Sequence, residues 1–171
     1  DIPQAIIEGR RADAEHRIEQ HLEIFGRDRF FLELQHHPSL PSQRTVNEAL
    51  QGYAKRYGLS LVATGDVHYV HAHDDEAQDV LVCVQTGNTV QEKDRLCMLG
   101  ENYSLQSADA MAEYFRDLPE AIENTMRIAE MCTVNIPLGQ QVLPAYPLPP
   151  GIEPQEYLRR LSEDGLTRRY P

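Results

Sequence analysis

The sequence predicts an α/β fold in which helices alternate with the strands of a parallel sheet. Helical periodicity recurs in segments 12–25, 43–57 and 74–84, and short β-prone runs at 29–35 and 59–64 lie between them. The run 59–64 is mostly apolar, which is typical of a parallel strand covered on both faces. The resulting order of helix, strand, helix, strand, helix indicates βα units on a parallel sheet or barrel.

The three helices of this alternation have recognisable ends. In the first, the apolar residues lie three or four positions apart on one face, and Gly26 follows the last of them. Those residues are Ala14, Ile18, Leu22 and Phe25. The second helix is closed by Gly58. The third begins at Asp74, whose side chain suits an N-cap, and ends before Gly87.

The two predicted strands are bounded by turn-forming residues. Segment 29–35, "RFFLELQ", is aromatic and partly alternating, as in a half-buried strand. Pro38 and Pro41 place a loop between this strand and the next helix. Segment 59–64, "LSLVAT", lies between two glycines.

The pattern changes after Gly87. A long connection over 88–106 contains one short predicted strand at "NYSL". Ser107 is an N-cap for a helix that extends to Phe115, and Pro119 begins another that extends to Cys132. Six of the 11 prolines lie in 137–154, which indicates an extended linker, and a last helix is predicted over 155–168.

Composition excludes several classes of protein. Apolar residues make up 41% of the 171 residues, so the chain as a whole is not disordered. The net charge of −11 opposes binding of nucleic acid by bulk electrostatics, although four arginines near the C-terminus form a local exception: Arg159, Arg160, Arg168 and Arg169. No apolar run is long enough to span a membrane and no signal peptide is recognisable, so we expect a cytoplasmic protein.

The three cysteines are widely spaced and form no C-x-x-C motif. This argues against a disulfide framework and a zinc ribbon, and predicts reduced, buried thiols. The sequence begins at Asp1 and ends at Tyr170 and Pro171, which do not resemble natural termini. We therefore expect a piece of a longer protein.

Histidine and aspartate residues follow both predicted strands. His36 and His37 come after the first strand, and Asp66 and His68 come after the second. Ligands of parallel α/β folds gather at the carboxyl ends of strands, and residues two apart in an extended segment point the same way. Imidazole and carboxylate together suit Zn²⁺, Mn²⁺ or Fe²⁺. The alternative is an aspartate-capped turn with a surface histidine, because the D-x-H spacing alone is not specific.

A second histidine pair invites a different comparison. "HAHDDE", which contains His71 and His73, is similar to the H-x-H-x-D-H signature of metallo-β-lactamase-type hydrolases, but Glu76 stands where the last histidine belongs. We favour a polar loop that leads into a capped helix. A hydrolase of that type would bind zinc tightly and lose it on replacement of the two histidines.

In order along the chain, several segments resemble the bacterial DNA polymerase III alpha-subunit family, over the later part of its PHP (polymerase and histidinol phosphatase) domain. They include "DIPQAIIEGR", "IFGRDRFFLELQHH", "LVATGDVHYV", "DDEAQDVLVCVQTG", "YSLQSADAMAEYF" and "PEAIENTMRIAEMC". The resemblance implies a partial PHP-type (β/α)₇ barrel with a C-terminal helical segment. It also implies three regions: residues 1–136 as the later half of the PHP domain, 137–154 as linker, and 155–171 as the first helix of the following polymerase region.

The resemblance assigns His37, Asp66 and His68 as metal ligands, with the remaining ligands upstream of Asp1. Gly65 replaces the usual asparagine and Pro38 follows His37 where glycine is common, so His36 stays open as a competing ligand. The function implied is a segment of a DNA-directed DNA polymerase that contributes to a metal-dependent 3′–5′ exonuclease or phosphoesterase site and is inactive alone. The alternative is a scaffold that docks a separate proofreading exonuclease.

The resemblance also bears on cofactor and partners. DNA and other replisome subunits would be contacted through the full-length polymerase, and no membrane is involved. We expect only weak metal binding by the segment, because three ligands do not enclose a metal cluster. Half a barrel leaves apolar sheet edges and helix faces open, so we also expect self-association.

Overall fold

A computed structural model describes residues 1–141 and 143–170. This part of the chain contains seven α-helices and one sheet of two parallel strands. The helices are α1 (Ile2–Ile7), α2 (Arg11–Phe25), α3 (Pro41–Tyr57), α4 (Asp75–Thr86), α5 (Ala108–Tyr114), α6 (Pro119–Met131) and α7 (Pro154–Arg169). The strands are β1 (Phe31–Gln35) and β2 (Ser60–Thr64). The predicted mixed α/β class is confirmed, and the PHP-type barrel stays a prediction.

The chain divides into two compact units, Asp1–Thr133 and Val134–Pro171. The first holds the sheet and α1 to α6, and the second holds α7. The predicted linker 137–154 includes Val142, which lies outside the described residues, as does Pro171. The described residues from Val134 to Glu153 form no helix or strand. The division into three regions stays a prediction.

The sheet and its crossover helix form the core of the first unit. Strand β1 pairs with β2 in parallel, with Leu32 opposite Leu61 and Leu34 opposite Ala63, and all four side chains are buried. Helix α3 connects the strands and contributes Leu50 to the same core. Helix α6 packs against β2, and its Asn124 amide donates a hydrogen bond of 2.8 Å to the Leu61 carbonyl oxygen. This bond satisfies a carbonyl at an open edge of the sheet.

The predicted helix ends agree with the structure at Gly26, which follows α2, and at two further glycines. Gly58 follows α3 with φ 63°, and Gly87 follows α4 with φ 71°. Both adopt the left-handed conformation, which glycine enters without a Cβ penalty. Ser107 also caps α5 as predicted, because its side chain accepts the Ala110 N–H at 3.2 Å.

Several local predictions were wrong. Helix α1 was not predicted, and α3 begins at Pro41 instead of Gln43, because proline lacks only an N–H that a first turn leaves unpaired. The strand predicted at "NYSL" is a single parallel bridge between Tyr69 and Ser104. Among the cysteines, Cys83 is buried, but Cys97 and Cys132 are exposed, and none forms a disulfide.

No helix in residues 1–141 and 143–170 combines the length and the apolar character needed to cross a membrane.

Candidate functional site

The register of the sheet brings the two histidine-containing loops together. Gln35, the last residue of β1, pairs directly with Thr64, the last residue of β2. His37 and Asp66 each lie two residues beyond that pair. Because the carboxyl ends of parallel strands share one edge, both loops begin at the same place.

The three predicted site residues lie close together around the Asp66 carboxylate. One carboxylate oxygen, Oδ2, lies 3.9 Å from His37 Nε2, and the other, Oδ1, lies 3.9 Å from His68 Nδ1. His68 Nδ1 also lies 2.7 Å from the backbone oxygen of Asp66. Since a carbonyl oxygen only accepts, Nδ1 carries the proton, and the lone pair of His68 is on Nε2.

Asp66 has an unusual backbone conformation. Its φ of 47° is the only positive φ of a non-glycine residue in the described part of the chain. Aspartate enters this left-handed region more readily than most residues, but the conformation is still costly. Such conformations persist where the surrounding structure holds them, and they cluster at functional sites. Here the turn directs the Asp66 carboxylate between two imidazoles.

His37 is buried with neither ring nitrogen hydrogen-bonded. Its side chain is 3% exposed, and both Nδ1 and Nε2 are buried without a hydrogen-bond partner among the described atoms. Buried polar groups are almost always paired, so the unpaired imidazole needs a partner outside the described atoms. An electron-pair acceptor at Nε2, beside Asp66, fits this environment.

The described residues do not form a complete metal site. Within residues 1–141 and 143–170, no group of three or more His, Cys, Asp or Glu side chains is arranged to hold a metal ion unaided. The three predicted ligands are therefore neighbours that fit as part of a larger donor set. Their role as metal ligands stays a prediction.

A segment that the sequence analysis did not assign to the site, although it predicted a short strand there, covers this cluster. The ring of Tyr103 lies 4.6 Å from the His37 ring and 5.5 Å from the His68 ring, measured between centroids. Burial raises the pKa of the Tyr103 phenol, and the nearby Asp66 and Glu101 carboxylates raise it further. On the other side of His37, Glu101 Oε2 lies 3.7 Å from Nδ1.

Backbone hydrogen bonds hold this covering segment, residues 101–105, against the loop after β2. His68 N–H donates to the Tyr103 carbonyl at 2.9 Å, and Leu105 N–H donates to the Tyr69 carbonyl at 3.0 Å. The Tyr69 hydroxyl accepts the Tyr103 N–H at 3.0 Å. These bonds join residues more than 30 positions apart, and no local sequence signal predicts them.

His36, the competing ligand, lies in a different environment. Its ring stacks on Tyr114 of α5 at 4.0 Å, with 8° between the planes, and meets the edge of Phe115 at 6.4 Å. Burial lowers the pKa of His36, and the neighbouring His37 lowers it further. The ring is therefore engaged with α5, while His37 faces Asp66.

A cavity of about 260 Å³ adjoins the cluster. Its lining includes His36, Thr64, Glu101, Asn102, Gln106 and Tyr114. Glu101 therefore borders both the cavity and the His37 ring.

The second histidine pair lies on the turn before α4. The rings of His71 and His73 are parallel, with centroids 5.4 Å apart, and His73 Nε2 lies 3.6 Å from Asp74 Oδ1. Asp74 occupies the N-cap position of α4 as predicted, but its side chain accepts the His71 N–H at 3.0 Å and makes no bond to the helix. This is the polar loop before a helix that the sequence favoured.

Comparison with known proteins supports the resemblance inferred from the sequence. The chain is 40% identical to the DNA polymerase III subunit alpha of Thermus aquaticus, over 100% of this chain and 14% of that protein. It is 41% identical to the DNA polymerase III subunit alpha of Borreliella burgdorferi, over 99% of this chain and 15% of that protein. It is also 35% identical to an error-prone DNA polymerase of Symbiobacterium thermophilum, over 99% of this chain and 16% of that protein. No family model matches the chain.

Proposed function

This chain corresponds over its full length to a segment of the DNA polymerase III alpha subunits, as its sequence predicted, and from this premise we propose that it is part of a replicative DNA polymerase. It spans 14% and 15% of the two alpha subunits compared, so the activity proposed for the parent needs residues outside the chain. The segment alone does not polymerise DNA under this proposal. Its contacts with DNA and with other replisome subunits are made through the parent protein, in the cytoplasm.

We further propose that the segment contributes to a metal-dependent site for phosphoester hydrolysis, with 3′–5′ exonuclease activity as the specific reaction. The observation that carries this proposal is the buried His37 ring, with Nε2 unpaired and 3.9 Å from the Asp66 carboxylate. A divalent metal, Zn²⁺, Mn²⁺ or Fe²⁺, supplies an activated water and stabilises negative charge on the phosphate when it is bound.

The residues of this chain have separate roles in the proposed site. His37 Nε2 and His68 Nε2 offer lone pairs, and Asp66 supplies the negative charge between the two rings. Tyr103 packs against both rings and limits the access of water to the buried His37 ring. His37, Asp66 and His68 bind a metal only weakly by themselves, since a partial site costs desolvation without full coordination.

The test uses the full-length polymerase. We expect His37→Ala and Asp66→Asn to lower metal-dependent release of 3′ nucleotides by more than about 100-fold and to leave nucleotide incorporation unchanged. The control is His71→Ala, an exposed histidine outside the cluster. Unchanged nucleotide release in the His37 and Asp66 variants would contradict the proposal.

A scaffold that docks a separate proofreading exonuclease is the second candidate. The apolar side chains of Val80, Leu81 and Val84 on α4 are exposed, and such surfaces commonly form protein interfaces. Metal analysis of the full-length protein separates the two functions. A scaffold is compatible with a metal-free protein, and a metal-dependent nuclease is not.

A further inference from the structure

Glu101 is placed against the one ring nitrogen of His37 that does not face Asp66. Its Oε2 lies 3.7 Å from His37 Nδ1, and its side chain is 7% exposed. Glu101 is not among the ligands that the resemblance assigns. It comes from the covering segment, 64 residues after His37 in the sequence.

We propose that Glu101 is a positioning residue that keeps His37 in the tautomer with the proton on Nδ1, so that the lone pair of Nε2 faces Asp66. The use of that lone pair rests on the metal site proposed above. The tautomer itself is a property of this chain and is measurable without a metal.

Both ring nitrogens of His37 face a carboxyl group, so burial decides where the proton lies. The Asp66 side chain is 37% exposed and exchanges hydrogen bonds with water. Glu101 is almost fully buried, and charge interactions are stronger in such low-dielectric surroundings. His37 Nδ1 lies 3.7 Å from Glu101 Oε2 and can direct an N–H towards it, and a neutral imidazole has only one N–H. The tautomer with the proton on Nδ1, facing Glu101, is therefore the more stable of the two.

The distance shows how the pair is held. A separation of 3.7 Å is longer than the 2.7–3.2 Å of a hydrogen bond, so the attraction is that between the N–H dipole of a neutral imidazole and the Glu101 carboxylate. A shift of about 0.8 Å in the ring or the carboxyl group would form the bond. Carboxylates in this position commonly orient metal-binding histidines and fix their tautomer.

The other oxygen of Glu101 is fixed by the backbone. Oε1 accepts the Ser39 N–H at 2.6 Å, in the loop after β1. The Glu101 backbone oxygen accepts the Tyr69 hydroxyl at 3.4 Å, in the loop after β2. Glu101 thus connects the loops of both strands, which gives it a structural role as well. A convincing test must leave that structural role intact.

Glu101→Gln meets this requirement. The glutamine oxygen retains the Ser39 hydrogen bond, and its NH₂ group then replaces Oε2 opposite His37 Nδ1. An NH₂ group only donates, so Nδ1 becomes an acceptor and the proton moves to Nε2. The variant therefore inverts the predicted tautomer at almost unchanged size.

The experiment is imidazole ¹⁵N NMR of the 171-residue chain without metal, at a pH where histidine is neutral. We expect Nδ1–H for His37 in the wild type and Nε2–H in Glu101→Gln. Glu113→Gln, which changes an exposed glutamate of α5, retains Nδ1–H. Backbone amide spectra verify the fold of each variant. Nε2–H in the wild type overturns the proposal, and so does an unchanged tautomer in Glu101→Gln. If Glu101→Gln does not fold, the tautomer of His37 in the wild type decides the proposal.

Mn²⁺ binding to the full-length polymerase separates this inference from the proposed function. We expect Glu101→Gln to weaken Mn²⁺ binding by about 10- to 100-fold, with Glu113→Gln unchanged. If the tautomer inverts but His37→Ala and Asp66→Asn retain metal-dependent nucleotide release, the proposed function fails alone. If those two variants are inactive but the tautomer does not change, the role of Glu101 fails alone.

Discussion

The Arg95 guanidinium binds the Asp79 carboxylate through two parallel hydrogen bonds, each 2.6 Å long. The side chains are 7% and 6% exposed, so the pair is almost entirely buried. Asp79 lies on α4, and Arg95 lies in the connection that leads towards Glu101 and Tyr103. This ion pair therefore anchors the connection six residues before the segment 101–105 that covers the candidate site.

Removing one partner of this pair should cost more stability than removing both. Asp79→Leu leaves a buried guanidinium without a counter-charge, and Arg95→Leu leaves a buried carboxylate in the same state. The double variant leaves neither, so we expect it to be more stable than at least one single variant. Urea unfolding followed by circular dichroism measures this. A double variant whose loss equals the sum of the two single losses would show that the charges are not coupled.

The same pair predicts a dependence of stability on pH. Hydrogen bonds from Arg95 hold the pKa of Asp79 below its usual value. A lowered pKa in the folded state means that the unfolded chain binds the proton first. The stabilisation is therefore complete above the unfolded-state pKa of about 4, and it is lost as the pH falls through the lower pKa of the folded state. The difference in unfolding free energy between wild type and Asp79→Asn should be constant from pH 7 to 5 and shrink below pH 4. A difference that does not shrink between pH 5 and pH 2 would contradict this.

The sequence predicts the parts of the site that depend on local signals. His37 and Asp66 follow strands whose apolar runs and flanking turns identify them, and the parallel register then brings both residues to one edge. Glu101 and Tyr103 lie in a connection without periodicity, and they reach the site through bonds to Tyr69 and Ser39. Such non-local contacts depend on the whole fold. A single sequence gives no signal for them.

The exposed apolar face of α4 predicts self-association of the 171-residue chain. Val80, Leu81 and Val84 are 50%, 61% and 74% exposed, and burial of such side chains against a second surface is favourable. We expect concentration-dependent association in sedimentation velocity, weakened by Leu81→Glu. Glu163→Gln on α7 serves as a control in the other unit. A compact monomer at all concentrations would contradict the prediction.

The left-handed backbone of Asp66 predicts that two substitutions of this residue differ in stability. Both Asp66→Asn and Asp66→Ala remove the charge between His37 and His68. Asparagine tolerates a φ of 47°, whereas alanine places its Cβ close to the following carbonyl and loses about 1–2 kcal/mol. We therefore expect Asp66→Asn to unfold near the wild-type urea midpoint. Asp66→Ala should unfold at a lower midpoint, with a free energy of unfolding reduced by that amount. Asp66→Gly, which relieves the conformation but removes the same charge, is the matched control for backbone strain. Equal stability of the alanine and asparagine variants would show that this turn relaxes when the carboxylate is removed, and that the carboxylate, not the surrounding chain, maintains the conformation.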